Sequence, residues 1–384
     1  MSEYQYYEFT AIDRPLDESQ VGQLRALSTR ARITPTGFVN SYQWGDLRGD
    51  PRQMMERYFD AFLYLANWGT HRVMFRLPAR LLDLGVAERF CVGDAAQAWI
   101  SGEHLILDLY SEDEEGDWEN DGEGMLAGII SVRAELASGD LRALYLAWLS
   151  CVQVGELDDE EPEPPVPPGL GALSGGLRSL AEFLRVDPDL LAGAATASPP
   201  RAAHQRSDEL ARWVKTLPTT SKDEALLRVL SGDHAHLRAE LLRRFSGCPR
   251  PSHAGDGNRT VRELLDAAES RRADRQREAE RQRAAERARR ERVAAAAREQ
   301  RLQALASRED EAWQDVDALI DTKRPKEYDA AVELLCDLQA VGERNGSNTM
   351  FSRRLRGPCE RHQRKPSLME RMQRAGLTRG VGAS

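Results

Sequence analysis

The stretch that decides the architecture is residues 271–301, RRADRQREAERQRAAERARRERVAAAAREQR. It contains twelve Arg, six acidic residues and nine Ala, has no Gly or Pro, and its only aliphatic residue larger than Ala is Val293. Most of these residues are good helix formers, and opposite charges three or four positions apart, such as Glu286 and Arg290, can pair on a helix surface. The composition therefore predicts one long charged helix over about 260–320.

The sequence leaves open how this charged rod (residues 259–321) is paired. A coiled coil needs a repeating seam of large apolar residues, and mostly Ala stands where Leu or Ile would be expected. A single helix stabilised by its own charges and an Ala-lined antiparallel pair therefore compete with a zipper-like dimer.

The first 155 residues carry most of the aromatic side chains and alternate between two patterns. Runs of β-branched and aromatic residues predict strands, and apolar residues at helical spacing predict helices. The predicted strands are residues 4–12, 33–44, 71–77 and 99–110, and the last of these is either one strand or a hairpin that turns at Ser101-Gly102. The predicted helices cover about 18–27, 51–66 and 125–154, the last broken near Gly139. This alternation indicates a compact α+β domain.

Shifts in composition divide the rest of the chain. The predicted segments are an α+β domain (1–155), an acidic and Pro-rich linker (156–176), a small helical region (177–247), a second linker (248–258), the charged rod (259–321) and a basic helical C-terminal region (322–384). Closely spaced Pro residues favour an extended, semi-rigid spacer. The predicted fold class is an α+β N-terminal domain followed by a mostly α-helical region with a long charged, coiled-coil-like helix.

Charge and composition limit the class of protein. Residues 1–258 carry a net charge of −15 and residues 259–384 a net charge of +6, which favours attraction to an anionic partner or between the two halves. The longest apolar runs are far shorter than the roughly 20 residues that cross a bilayer, and the N-terminus lacks a secretory pattern. Five widely spaced Cys indicate free thiols in a reducing compartment. We therefore expect a cytoplasmic protein.

Several stretches resemble an uncharacterised family of bacterial proteins. They are YEFTAIDRPL from Tyr7, ANWGT from Ala66, GDLRALYL from Gly139 and KRPKEYD from Lys323. The resemblance extends over most of the chain and implies a bacterial cytoplasmic protein of unassigned activity. It transfers no functional residue.

The corner NWGTHR, residues 67–72, has the most unusual local chemistry. Asn67, Trp68 and Arg72 can form one wall of a polar pocket. Predicted partners across that pocket are Tyr42, Trp44 and Arg76. The preferred interpretation is a helix C-terminus instead, with Gly69 in the left-handed conformation and Trp68 packed inward.

Two stretches carry side chains that can bind metals. The acidic loop 112–123 contains Asp117-x-Glu119-x-Asp121-Gly122, the first half of a calcium loop, but the position of the bidentate Glu falls on Gly128. His234 and His236 are two positions apart, so a helix would point them in nearly opposite directions. No metal site is predicted, and we expect a solvated acidic loop that can meet a basic partner, one candidate being the Arg-rich helix of the same chain. Whether this loop binds a cation is left open.

No nucleophile elbow, P-loop or dinucleotide-binding motif occurs in a fitting context, so no catalytic residue and no cofactor is predicted.

Residues 353–379 hold nine Lys and Arg against two Glu. If nucleic acid is the partner, these basic side chains are expected to contact its phosphates. The candidates are Arg353, Arg354, Arg361 and Arg364.

The predicted function is a non-enzymatic adaptor or scaffold for protein–protein assembly, with enzymatic activity left open. The expected partners are other proteins, or a second copy bound through the rod. The alternative is a nucleic-acid-binding protein that uses the Arg-rich helix and the basic tail. A membrane partner is not expected, because the rod has no large apolar face.

Overall fold

The structure is a computed structural model that describes residues 3–113, 122–200, 207–231, 236–245 and 259–377. The chain forms two compact units, Met1–Arg275 and Gln276–Ser384. Within the described ranges, no helix combines the length and apolar character needed to cross a membrane. The predicted fold class is confirmed: an antiparallel sheet region comes first, and a mostly helical region with a long helix follows.

The first unit is built on one antiparallel sheet. Its strands are β1 (Gln5–Thr10), β2 (Arg32–Thr34), β3 (Gly37–Tyr42), β4 (Ala61–Ala66), β5 (Thr70–Pro78), β6 (Ala96–Ser101) and β7 (His104–Glu112). Their order across the sheet is β2-β3-β1-β4-β5-β7-β6. The single strand predicted over 33–44 is instead the hairpin β2–β3, because the chain turns at Pro35, which cannot donate a ladder hydrogen bond.

The helix predicted over 51–66 is wrong in its second half. Helix α2 (Pro51–Arg57) ends early, and the residues after it form β4 in the middle of the sheet. Phe62 packs into the core on one side of β4, whereas Leu63 packs into the core on the other. A strand buried on both sides has the same continuous apolar sequence as a buried helix, so the pattern alone cannot separate them.

Seven other helices in the described part of the first unit surround the sheet. They are α1 (Glu18–Leu27), α3 (Leu84–Ala87), α4 (Met125–Ile129), α5 (Ser131–Ala137), α6 (Arg142–Gln153), α7 (Gly175–Phe183) and α8 (Pro188–Ala195). Two of them, α1 and α4, begin where predicted. Asp17 and Gln20 form a capping box at the start of α1, each side chain accepting from the other's backbone N–H. The predicted break in the 125–154 helix is confirmed at Gly139, whose φ is +91°.

Three further helices follow in the first unit. They are α9 (Ser207–Thr216), α10 (Thr219–Leu230) and α11 (Leu237–Phe245). They are attached by polar contacts and by Ala239 of α11, which packs against the core. Arg228 of α10 donates to Glu240 of α11 at 2.6 Å, and Arg80 donates to the same carboxylate at 3.2 Å. Just before α11, His236 Nε2 lies 2.9 Å from a carboxylate oxygen of Asp13.

The long helix α12 (Val261–Ser307) is bound to the first unit at its N-terminal end. Glu163 is only 1% exposed and accepts hydrogen bonds from Arg259 at 2.9 and 2.8 Å and from the Tyr145 hydroxyl. Leu264, on the first turn of α12, packs into the core of the unit. These contacts place part of the 156–176 segment in the packed first unit. The six-segment division itself stays a prediction.

The second unit is helical. After the end of α12 it contains α13 (Glu309–Asp321), α14 (Pro325–Arg344), α15 (Asn348–His362) and α16 (Pro366–Arg374). Leu302 and Leu305 of α12 pack with Trp313 of α13 and Leu335 of α14 in a separate core. The charged rod is thus helical as predicted, and Arg308 divides it into α12 and α13.

Candidate functional site

The NWGTHR corner is the turn of the β4–β5 hairpin, so its interpretation as a helix C-terminus is wrong. Asn67 accepts from the backbone N–H of Tyr4 at 2.9 Å and thereby ties the turn to the start of β1. Gly69 does have a positive φ of +99°, and a Cβ there would lie 1.8 Å from the carbonyl oxygen of Asp113. Trp68 is 41% exposed, so the predicted inward packing is also wrong.

The structure does not bring the predicted pocket residues together. Arg72 donates two hydrogen bonds to the buried Asp108 of β7, at 2.8 and 2.7 Å. Arg76 instead pairs with the fully buried Asp60 at 2.8 Å. The remaining predicted partners are Tyr42, whose ring contacts Tyr7, and Trp44, whose ring lies under Arg30. The pocket wall of Asn67, Trp68 and Arg72 is therefore replaced by separate contacts.

The same corner contributes to a different site through His71. Its Nδ1 lies 2.7 Å from the carbonyl oxygen of Phe183, and its Nε2 lies 3.0 Å from a guanidinium nitrogen of Arg185. Because a carbonyl can only accept, Nδ1 carries the proton and Nε2 accepts from Arg185. Burial, helped by the nearby guanidinium, lowers the pKa of His71 to about 4. At neutral pH the imidazole is therefore uncharged.

Arg185 has an unusual backbone conformation for a non-glycine residue. It follows the C-terminus of α7 with φ +54°, in the left-handed region that costs L-residues about 1–2 kcal/mol. Its side chain also donates to the carbonyl oxygen of Gly69 at 2.7 Å, so it joins the hairpin turn to α7. Sequence reasoning missed His71 and Arg185 as a pair, because the two residues are 114 positions apart.

A polar cavity of about 160 Å³ lies beside Arg185. The end of β7 at Ser111 and the next residue after the strand, Asp113, form one side, and the C-terminal end of α6, including Ser150 and Gln153, forms another. A cavity of about 150 Å³ accommodates a benzene-sized molecule. The site therefore has room for a small ligand, but not for an extended chain.

The four predicted phosphate-binding arginines differ in their surroundings. Arg354 donates to Asp310 at 2.6 Å and lies over the Trp313 ring, and Arg361 donates to Asp317 at 2.8 Å. These two guanidinium groups are already partly neutralised within the second unit. Arg364 is exposed and forms no ion pair with any residue that the structure describes.

Arg353 and Arg356 are the basic pair best placed to bind an anion. Both are exposed, and neither forms an ion pair within the described ranges. They line an open depression of about 460 Å³ together with Asn348, Thr349 and Ser352 of α15. Like charges three positions apart repel on a helix, and an anion bound between them would relieve that repulsion. Sequence reasoning missed Arg356, although it belongs to the same basic stretch as Arg353.

Helix α12 has a stretch that contacts little beyond itself, residues 280–298, called the bare stretch below. Every residue in it is exposed, including Val293 at 64%. Glu286 lies 3.0 Å from Arg290 and 3.9 Å from Arg289, so the predicted pairing of neighbouring turns is present. Acids lie among the arginines, which lowers the local positive charge available to phosphates.

Metal-capable side chains do not converge in the part of the chain that the structure describes, where no group of three or more is arranged to hold an ion. Asp117, Glu119, Asp121 and His234 lie outside the described residues. Two described thiols are poor nucleophiles, because burial raises the pKa of Cys91 and of Cys151 to about 12.

No protein-family model, no curated protein and no solved structure matches this chain. A function for this chain is therefore inferred from its contacts, its burial and its charges.

Proposed function

We propose that the protein is a non-enzymatic adaptor of the bacterial cytoplasm that mediates protein–protein assembly. The observation that carries this proposal is the distribution of contacts along α12. Leu264 near its start belongs to the core of the first unit, and Leu302 near its end belongs to the core of the second. The bare stretch between them is exposed throughout. A helical segment that buries no side chain adds little to the stability of either core. We therefore infer that its role is to connect the two units.

The bare stretch is suited to this use because it needs no partner. Its Ala and Arg residues favour helix, and each exposed pair such as Glu286–Arg290 adds about 0.2–0.5 kcal/mol. Segments without such local support depend on tertiary packing to remain helical. The surfaces that bind partners are therefore expected on the two units rather than on the bare stretch.

The test is to separate the two units after partners have bound. A specific protease site is inserted after Ala295, within the bare stretch, and each end of the chain carries a different affinity tag. An adaptor predicts that cleavage divides the co-purified proteins into one set on each half. The uncut insertion variant is the control and should retain both sets. Recovery of every co-purified protein on one half, or of none on the intact chain, would contradict the proposal.

The second candidate is nucleic-acid binding, and it is favoured by Arg353 and Arg356. Two unpaired guanidinium groups beside hydroxyl and amide side chains are the donors that phosphates accept from. The paired Arg354 and Arg361 offer a matched contrast on the same helix. Phosphate binding would therefore depend more on the first pair than on the second.

This candidate is tested by the salt dependence of binding to duplex and single-stranded oligonucleotides. Each phosphate contact contributes a slope of about −0.9 for duplex in a plot of log affinity against log salt concentration. We expect R353A/R356A to reduce the steepness of this slope by about 1.8, the equivalent of two phosphate contacts, and R354A/R361A to reduce it less. Absence of binding at about 50 mM salt, where phosphate contacts are strong, would remove this candidate.

A further inference from the structure

Helix α10 presents an apolar face to solvent. Leu230 is 83% exposed, Leu227 65%, Leu226 61% and Val229 50%. Val214, on the preceding helix α9, is 46% exposed. Elsewhere in the described part of the chain, large exposed apolar residues stand singly along the sequence. Single exposed apolar residues are normal on a protein surface, whereas contiguous exposed apolar patches commonly mark interaction sites.

The fold of the first unit does not account for these side chains. Helix α10 buries none of its residues, and Arg228 attaches it to α11 through Glu240. Lys222 adds one contact, to the carbonyl oxygen of Lys215. Leu226 and Leu230 are one turn apart with Leu227 beside them, so they form a continuous stripe along the helix. Exposed apolar area of this kind is unfavourable in water and is stabilised by burial against a partner.

We propose that this apolar face binds the same face of a second copy of the chain. The charge of the surface supports a second copy as the occupant. Residues 207–230 contain four acidic and four basic residues, whereas the whole chain carries a net charge of −9. Two copies that meet through this neutral surface avoid the repulsion that their acidic surfaces would cause. A strongly acidic or strongly basic partner would gain nothing from it.

The border of the face suits a symmetric contact. In a two-fold interface each surface element meets its counterpart, so a border of both signs can pair acids of one copy with bases of the other. Lys215, Lys222, Asp223 and Glu224 supply these charges. A stable interface buries about 800 Å² per partner around an apolar centre with a polar rim. The four exposed apolar side chains of α10 provide the centre, and the polar residues around them provide the rim.

This inference goes beyond the adaptor proposal, because it would give each assembly two copies of both units. It also moves self-association away from the rod, where the sequence placed it. Val293 is the only large aliphatic residue in the bare stretch, so that helix has no apolar seam for a second copy.

The experiment is sedimentation velocity of the full chain across the micromolar range. The wild type is expected to change from monomer to dimer with concentration, and L227D/L230D is expected to remain monomeric throughout. The control V293D places one added carboxylate at an isolated exposed residue, so it should dimerise like the wild type. Leu230→Ser is a milder variant, and it should weaken dimerisation at least about tenfold because a two-fold interface loses the side chain twice.

Circular dichroism and thermal melting establish that each variant is folded before its assembly is measured. A wild type that is monomeric over the whole range would overturn the proposal. So would a dimer that persists in both L227D/L230D and Leu230→Ser, since another face would then hold it. Equal dissociation of V293D and L227D/L230D would likewise overturn it, because added charge rather than the α10 face would be responsible.

Discussion

Helix α10 and the bare stretch of α12 are both exposed to solvent, for opposite reasons. The bare stretch is built from Ala, Arg and Glu, whose helix propensity and local ion pairs support it without a partner. Helix α10 exposes four aliphatic side chains and buries none. Exposure alone therefore says little about binding. The residue types that are exposed therefore distinguish a helix that is stable without a partner from one that leaves apolar side chains uncovered.

The largest loss of stability is expected at the N-terminal end of α12, where the helix packs into the core of the first unit. Glu163→Ala should lower the free energy of unfolding of the first unit by about 3–5 kcal/mol, because it leaves the Arg259 guanidinium without its carboxylate in a largely buried site. Urea unfolding monitored by tryptophan fluorescence measures this change. The matched control is Glu286→Ala in the bare stretch, where the lost pairs with Arg289 and Arg290 are exposed and should cost a few tenths of a kcal/mol. Similar losses in both variants would contradict the distinction between the packed end and the bare stretch.

An intermediate effect is expected inside the bare stretch. Ala296→Gly should destabilise the local helix by about 1 kcal/mol, the difference in helix propensity between the two residues. Faster amide hydrogen exchange around residue 296 would report it, while the melting temperatures of the two units stay unchanged. A fall in the global melting temperature would show that the bare stretch is coupled to packing that its exposure does not reveal.

A smaller effect is expected at the attachment of α10. Hydrogen bonds from Arg228, followed by those from Arg80, hold the pKa of Glu240 below its ordinary value of 4.5. Since the folded-state pKa is the lower one, the stabilisation is complete above pH 4.5 and is lost as the pH falls through the folded-state value. Screening by solvent keeps it below about 1 kcal/mol. Glu240→Gln should therefore be less stable than wild type at neutral pH, and the two should converge in acid.

The smallest effects are those of single ion pairs along the rod. A peptide of residues 259–321 should be strongly helical in isolation at low salt, and its helicity should fall as salt screens the pairs, each contributing about 0.2–0.5 kcal/mol. Circular dichroism measures both properties. The α10 segment alone has no comparable network of pairs, so a peptide of residues 219–230 is expected to be mostly unfolded. A random-coil spectrum of the rod peptide would refute its self-sufficiency.

Specific residues show how far sequence reasoning reached into the fold and the candidate sites. The capping pattern at Asp17, the break at Gly139 and the charged helix of α12 were predictable, since each depends on neighbours within a few positions. Strand β4 was not predictable, because a continuous apolar run fits both a buried helix and a strand that is buried on both sides. His71 and Arg185 meet only through the folded chain. Arg353 and Arg354 are adjacent in sequence, yet only Arg354 has an acidic partner among the described residues.

By itself, the sequence determined that this chain contains a long self-supporting helix between an α+β region and a basic helical region. Helix propensity, capping and pairing over three or four positions are local, so they can be deduced without the fold. The tertiary structure alone decided which charges are neutralised and which apolar residues stay uncovered. Glu163 meets Arg259 across 96 positions, and the leucines of α10 could not be distinguished from core leucines by their spacing. Burial depends on what the rest of the chain covers, and that is set by contacts between distant segments.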